Sequence, residues 1–104
     1  MNIISVRILR EFIKKYPQSQ TPLMRWYKTV QKSVYKTPQE MILDFAGSDY
    51  VGNDRIIFNI GHNKYRLIVS FDYDRDAGFI KFIGTHKEYD KIDAKTVAYK
   101  KFTQ

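Results

Sequence analysis

The sequence predicts an α+β sandwich: two N-terminal helices packed on one face of a small antiparallel β-meander. Three observations carry this. Apolar residues recur at helical spacing through residues 5–36, whereas residues 55–85 hold three β-branched and aromatic runs separated by polar breaks. The helical part comes first and the strand part second, an order that segregates helices to one side of a sheet. At 104 residues the chain is expected to be one domain spanning 1–104, large enough for its own core.

Taken in order, Asn2–Ile4 reads as a short strand. The first helix runs from about Ser5 to Tyr16, with Val6, Leu9, Phe12, Ile13 and Tyr16 on one side and Arg7, Arg10 and Lys14 opposite. Pro17-Gln18-Ser19-Gln20 ends it. Thr21 is expected to cap the second helix, with Pro22 at its first position. Leu23, Tyr27, Val30 and Val34 form its apolar stripe, and Arg25, Lys28, Lys32 and Lys36 lie about half a turn away. Thr37-Pro38 repeats the cap-then-proline signal and opens a short helix to about Phe45. Gly47-Ser48-Asp49 breaks it, and Tyr50–Gly52 suggests a small strand.

The meander centres on Phe58-Asn59-Ile60-Gly61-His62-Asn63-Lys64-Tyr65-Arg66-Leu67-Ile68-Val69. Gly61-His62-Asn63 interrupts two apolar runs, as a hairpin turn does. Side chains alternate between strand faces, so Tyr65, Leu67, Val69 and Phe71 share one face while Lys64, Arg66, Ile68 and Ser70 share the other. Phe79-Ile80-Lys81-Phe82-Ile83-Gly84-Thr85 supplies the third strand. Simple register pairs Ile60 with Tyr65 and Phe71 with Phe79. That sets Asn59 beside Arg66, Arg66 beside Gly84, and Lys64 beside His86 on one face, with a hollow above Gly84; a slip of one residue would scatter the set. Ile57, Ile68, Ile80 and Phe82 make an apolar floor on this face, which the helices leave free. Thr85–Ile92 reads as a strand end and a polar turn, and residues from Asp93 onward as a short helix or a tail.

Net charge is +7, unevenly spread: residues 1–41 hold eight Lys/Arg against two acids, and residues 42–104 hold ten against nine. A basic helix face is often simply solvated. Here acids for i,i+4 pairing are nearly missing from it, an arrangement that a polyanion rewards through counterion release. There are no cysteines, which excludes disulfides and thiolate metal sites. The apolar runs fall short of a membrane span and the start lacks a signal-peptide pattern, so cytoplasmic residence without membrane association is expected. Asp72, Asp74 and Asp76 resemble a calcium loop only briefly. Such a loop needs Gly sixth and Glu twelfth, where this chain has Ala77 and Ile83.

Phe58-Asn59-Ile60-Gly61-x-Asn63-Lys64-Tyr65-Arg66-Leu67 and Gly84-Thr85-His86-Lys87-Glu88-Tyr89-Asp90-Lys91-Ile92 resemble the HigB toxins, RelE-like mRNA interferases of bacterial toxin–antitoxin pairs. The second motif is the more specific, and the likeness extends weakly over nearly the whole chain. It implies a compact RelE-like α+β fold and binding at the ribosomal decoding site of 16S rRNA. It also implies cleavage of the mRNA there, and inhibition by a cognate HigA-type helix-turn-helix antitoxin. The family pattern has Gly where this chain has His62, so no role is carried onto His62.

The chemistry follows from the residues themselves. Metal-free RNA cleavage uses the 2′-OH as nucleophile and needs proton transfer and cationic stabilisation of the phosphorane. Arg66 suits the cationic role, since guanidinium matches phosphate oxygens and keeps its charge. His86, as an imidazole, suits proton transfer. Lys64 adds charge, Tyr89 can stack on a base, Asn59 positions a neighbour, and Lys87 can touch a backbone phosphate. Arg25, Lys28 and Lys32 offer a docking face for RNA. No metal or cofactor is expected. Against these stand blander roles: Arg66 pairing with Asp44 or Glu88, Tyr89 as packing, His86 as a surface residue. The alternative function is a small RNA-binding or ribosome-associated module without chemistry. A third possibility is an antitoxin-binding protein whose catalytic role is lost.

Overall fold

A computed structural model describes residues 1–98. Its centre is the expected meander: β3 (Arg55–Ile60), β4 (Tyr65–Asp72) and β5 (Ala77–Thr85). The first hairpin closes in the expected register, Ile60 opposite Tyr65 and Asn59 opposite Arg66. Its turn has positive φ at both central residues, 54° at His62 and 77° at Asn63, and the Lys64 N–H donates to the Gly61 carbonyl at 3.2 Å. Two positive φ values make the turn whose twist matches that of the strands it joins.

The second hairpin starts in the expected register, with Arg66 opposite Gly84 and Ile68 opposite Phe82. A bulge then shifts it by one, so Val69 faces Ile80 and Phe71 faces Gly78 rather than Phe79. Lys81 is the extra residue. A one-residue shift exchanges faces, which removes Ile80 from the expected floor and seats it in the core, and exposes Phe79 instead.

Two more strands flank the meander. β1 (Asn2–Ile4) pairs in parallel with β5, and β2 (Asp49–Tyr50) pairs with β3. The sheet is therefore mixed, in the order β1-β5-β4-β3-β2, rather than purely antiparallel. All the helices that precede β2 lie between β1 and the meander in sequence, and that long crossover lets β1 return parallel to β5.

The core lies between the helices and the sheet face bearing Phe58, Tyr65, Leu67, Val69 and Phe71. Helix α1 (Val6–Lys15) buries Ile8, Leu9 and Phe12. A 3₁₀ turn, Pro17–Ser19, leads directly into α2 (Gln20–Lys32), so Thr21 lies inside the first turn and does not cap it. The buried Ser19 sits at the cap position, its hydroxyl donating to the Tyr16 carbonyl at 2.7 Å. Helix α2 buries Leu23, Trp26 and Val30 and stops at Lys32, leaving Val34 outside the stripe at 68% exposure. Helix α3 (Pro38–Asp44) begins as the sequence indicates, with the Thr37 side chain accepting from the Glu40 N–H at 3.3 Å. Phe58 is the aromatic hub, its ring 5.2 Å from those of Trp26 and Phe45 and 6.1 Å from that of Phe71.

The opposite sheet face is not free. Ile57 is buried there and Ile68 is 0% exposed. After β5 the chain forms a one-turn helix, α4 (His86–Tyr89), and runs back over the sheet to the start of β3. There the buried Arg55 guanidinium donates to the carbonyls of Ala94 (3.1 Å) and Val97 (2.6 Å), and Asn53 donates to that of Lys95 (3.0 Å). This strap covers the apolar floor. Residues 93–97 form a single hydrogen-bonded turn closed onto the Asp93 carbonyl, neither a regular helix nor a loose tail; residues 99–104 lie outside the described part.

Candidate active site

Alternation along β4 brings Arg66 to the strap side of the sheet, between Asn59 and Gly84 as ladder neighbours. Its guanidinium lies over the Tyr89 ring, 5.5 Å from the centroid, and donates to the Asn63 carbonyl at 3.1 Å. Tyr89 in turn meets Phe82 at 6.4 Å. Arg66 lies on a face of the Tyr89 ring and Phe82 meets that ring at a 57° tilt, so the cation is held by an aromatic face.

The expected hollow above Gly84 is filled. A Cβ there would lie 2.6 Å from the tip of the Phe82 ring and 3.0 Å from a Glu88 carboxylate oxygen. Glycine at this position admits those two groups rather than a substrate.

A capping box ends β5. The Thr85 hydroxyl accepts from the Glu88 N–H at 3.2 Å, and the Glu88 carboxylate accepts from the Thr85 N–H at 2.8 Å. The sequence Thr85-His86-Lys87-Glu88 contains that signal, and it could have marked α4, which was expected as a polar turn. Because the ladder stops at Tyr65 and Thr85, His86 starts a helix instead of pairing with Lys64. The expected Lys64–His86 neighbourhood does not form.

His86 instead has a partner the sequence reading missed. Its Nδ1 lies 3.3 Å from the Asp90 carboxylate, both side chains being more than half exposed. The signal was present as a His and an Asp four apart on one helix face. With Nδ1 turned toward that carboxylate, Nε2 is the ring nitrogen left facing away from it. Glu88 and Asp90 also bring two carboxylates to this short helix and its end. Neither pairs with Arg66, since Glu88 serves the capping box. Asp44 accepts from the Tyr35 hydroxyl, whose pKa is raised by burial and by that carboxylate. Lys87 points to solvent.

The remaining candidates gather elsewhere. Asn59 donates to the Gly47 carbonyl at 3.0 Å and so holds the loop after α3 against β3. Gly47 has φ +80°, and a Cβ there would lie 2.9 Å from the Asn59 amide. Between that loop, α2 and the hairpin tip opens a groove of about 750 Å³ whose lining includes Arg25, Trp26, Asn59 and Lys64. Lys28 and Lys32 are exposed on α2. Thus Arg66 and Tyr89 meet on the strap side, Arg25, Asn59 and Lys64 line the groove, and Asn59 is also the ladder neighbour of Arg66.

Among the described residues no helix is long and apolar enough to cross a membrane. Residues 19–92 match the family model described as HigB_toxin, the RelE-like toxic component of a toxin–antitoxin system. The chain is 30% identical over 97 residues to the mRNA interferase toxin HigB of Escherichia coli (strain K12), covering 90% of this chain and 92% of that protein. The mRNA interferase HigB of Shigella flexneri is equally similar. That of Escherichia coli O6:H1 is 31% identical over 94 residues, covering 88% and 91%. With the match spanning both surfaces of the site and most of either chain, this protein belongs to the RelE-like HigB toxin family.

Proposed function

We propose that residues 1–104 form a single toxin domain that cleaves mRNA on the ribosome through the RNA's own 2′-OH. The observation that carries the reading is the Arg66–Tyr89 stack, one short helix away from the His86–Asp90 pair. Tyr89 stacks on a nucleobase and holds Arg66 in place. Arg66 binds the scissile phosphate and stabilises the charge of the phosphorane. His86 Nε2 moves a proton at the 2′-OH or the leaving 5′-oxygen, with Asp90 orienting the ring. Lys64, from the hairpin tip, adds positive charge, Asn59 positions the strand, and Lys87 contacts a flanking phosphate. The register that keeps Asn59, Arg66 and Gly84 side by side supports chemistry over a non-catalytic RNA-binding role.

Arg25, Lys28 and Lys32 dock the toxin on 16S rRNA at the decoding site. The partner that silences it is a cognate antitoxin of the HigA helix-turn-helix type, and both act in the cytoplasm. The reaction needs no metal: in this mechanism Arg66 and Lys64 supply the charge that a cation would otherwise supply.

Mapping RNA 5′ ends after induction, with and without ribosome engagement, tests the reading. Cuts should fall in translated mRNA and leave 5′-hydroxyl and 2′,3′-cyclic phosphate (or 3′-phosphate) ends. A message with 2′-deoxy at the cut position should bind and stay intact. Ends bearing 5′-phosphate, or efficient cutting of the 2′-deoxy message, would overturn it.

A further inference from the structure

We infer that the groove between α2 and the hairpin tip is a nucleobase subsite, taking a base next to the scissile nucleotide and setting the toxin's sequence preference. The inference rests on the ribonuclease reading above and extends it to Trp26, Thr29, Phe45 and Ser48, which that reading leaves unused.

Four observations support it. The groove measures about 750 Å³, within the range of small-molecule pockets. Its lining sets the half-buried Phe45 ring, over the buried Trp26 and Phe58, beside the polar groups of Thr29, Ser48 and Asn59, a mixture that suits a base with its apolar face and hydrogen-bonding edges. Arg25 and Lys64 bring positive charge to the lining, whereas its acid, Asp44, is engaged by Tyr35. That balance favours a phosphate-bearing occupant over an acid-poor peptide. Finally, Trp26 is only 3% exposed, yet its indole N–H has no acceptor. A buried indole N–H ordinarily finds a partner, and leaving it unpaired is costly. The N–H exposes less than 1 Å², so a base reaches it only as the lining opens, and the carbonyl oxygens and ring nitrogens of nucleobases are acceptors of the kind it lacks.

The location agrees. Asn59 lines the groove and is also the ladder partner of Arg66. A strand whose phosphate sits on Arg66 passes Asn59 on its way round the sheet edge to the groove.

Trp26 is the only tryptophan of the chain, so its indole gives a single resonance in a ¹H–¹⁵N spectrum. The experiment titrates the full-length Arg66→Ala toxin with each of the four ribonucleoside 5′-monophosphates, and with inorganic phosphate. One or two nucleotides should shift the indole resonance saturably, with a Kd on the order of 1 mM, and phosphate alone should not. Thr29→Phe, whose lost hydroxyl donates only to the Arg25 carbonyl of its own helix, should fill the groove. It should weaken that binding about tenfold, and in the Arg66-containing protein it should change the base preference in the 5′-end map. Arg25→Gln should weaken nucleotide binding as well.

An unmoved indole at about 20 mM of every nucleotide would overturn the inference, as would an equal shift with phosphate or a Thr29→Phe protein that binds and cuts as before. An indole that moves only with added antitoxin would assign the groove to a protein partner instead. None of these outcomes touches the cleavage reading, which is tested separately by the end chemistry, the 2′-deoxy message and the Arg66→Ala and His86→Ala variants.

Discussion

Gly84→Ala is the most direct test of how the site is assembled. The added methyl would lie 2.6 Å from the Phe82 ring tip, where carbon atoms ordinarily approach to about 3.5–4 Å. The ring must therefore retreat by roughly 1 Å, and it is backed by Tyr89, which carries Arg66. The same methyl lies 3.0 Å from the Glu88 carboxylate, which must loosen its 2.8 Å bond to the Thr85 N–H. Backbone strain does not contribute, because Gly84 is not among the residues with positive φ. Overpacking of this kind costs about 1–3 kcal/mol, and a weakened cap about 1 kcal/mol more. The lower entropy of the unfolded alanine chain offsets roughly 0.4–1 kcal/mol. A net loss of about 2 kcal/mol should lower Tm by roughly 10 °C in a domain of this size. Cleavage should fall further than stability, because Tyr89 and His86 are displaced together. Thermal unfolding followed by circular dichroism, and cleavage in a translation extract, measure the two effects. Adding Phe82→Leu should restore part of both, giving a coupling that a double-mutant cycle reads directly. A Gly84→Ala protein that melts and cuts like the parent would refute the packing argument.

Arg66→Ala and His86→Ala should each fold and lose about 10²–10⁴ in cleavage rate, read as loss of growth arrest and of new RNA 5′ ends; full toxicity in both folded variants would remove them from the site. Replacing Arg25, Lys28 and Lys32 by Gln should weaken ribosome binding and flatten its salt dependence by up to about three units of slope, measured by pelleting across a salt series. Unchanged binding would return that face to simple solvation. Tyr73 should shape stability at high pH: burial, with the charges of Asp54 and Tyr50 beside it, pushes its phenol up to about 12. The folded chain then keeps a proton that the unfolded chain loses near pH 10. Stability is thus full below pH 10 and declines as pH rises toward 12. Tyr73→Phe, which also removes a buried hydroxyl without a partner, should reduce that decline in denaturant titrations. An identical pH profile would refute it.

The pairing of Asn59, Arg66 and Gly84 was legible because two signals agree: period-two alternation and a turn whose residues tolerate positive φ. The bulge was not, since Phe79, Ile80, Phe82 and Ile83 offer an apolar residue to the core in either register, and nothing local marks Lys81 as the extra one. Helix phase was ambiguous in α2 for a similar reason: Trp26 and Tyr27 are both large and aromatic, and only the packing against Phe58 selects Trp26 as the buried one. The role of Arg55 was hidden because its partners are backbone carbonyls some forty residues away. Carbonyls carry no sequence identity, so no pattern points to them. The groove was hidden too, being assembled from α2, the loop after α3 and the hairpin tip.

The strap has a consequence for the order in which this protein comes into being. Among the described residues, every core side chain lies at or before Ile83. His86, Tyr89 and Asp90 come later, and the turn gripped by Arg55 later still. During vectorial synthesis the helices and the meander, Arg66 included, can therefore collapse while His86, Tyr89 and Asp90 are not yet made. A chain halted between Ile83 and His86 would have its core and no proton-transfer group, and would leave Ile57 and Ile68 uncovered. On the proposed assignment the nascent chain is inactive and sticky first, and complete only once residues 86–97 fold down.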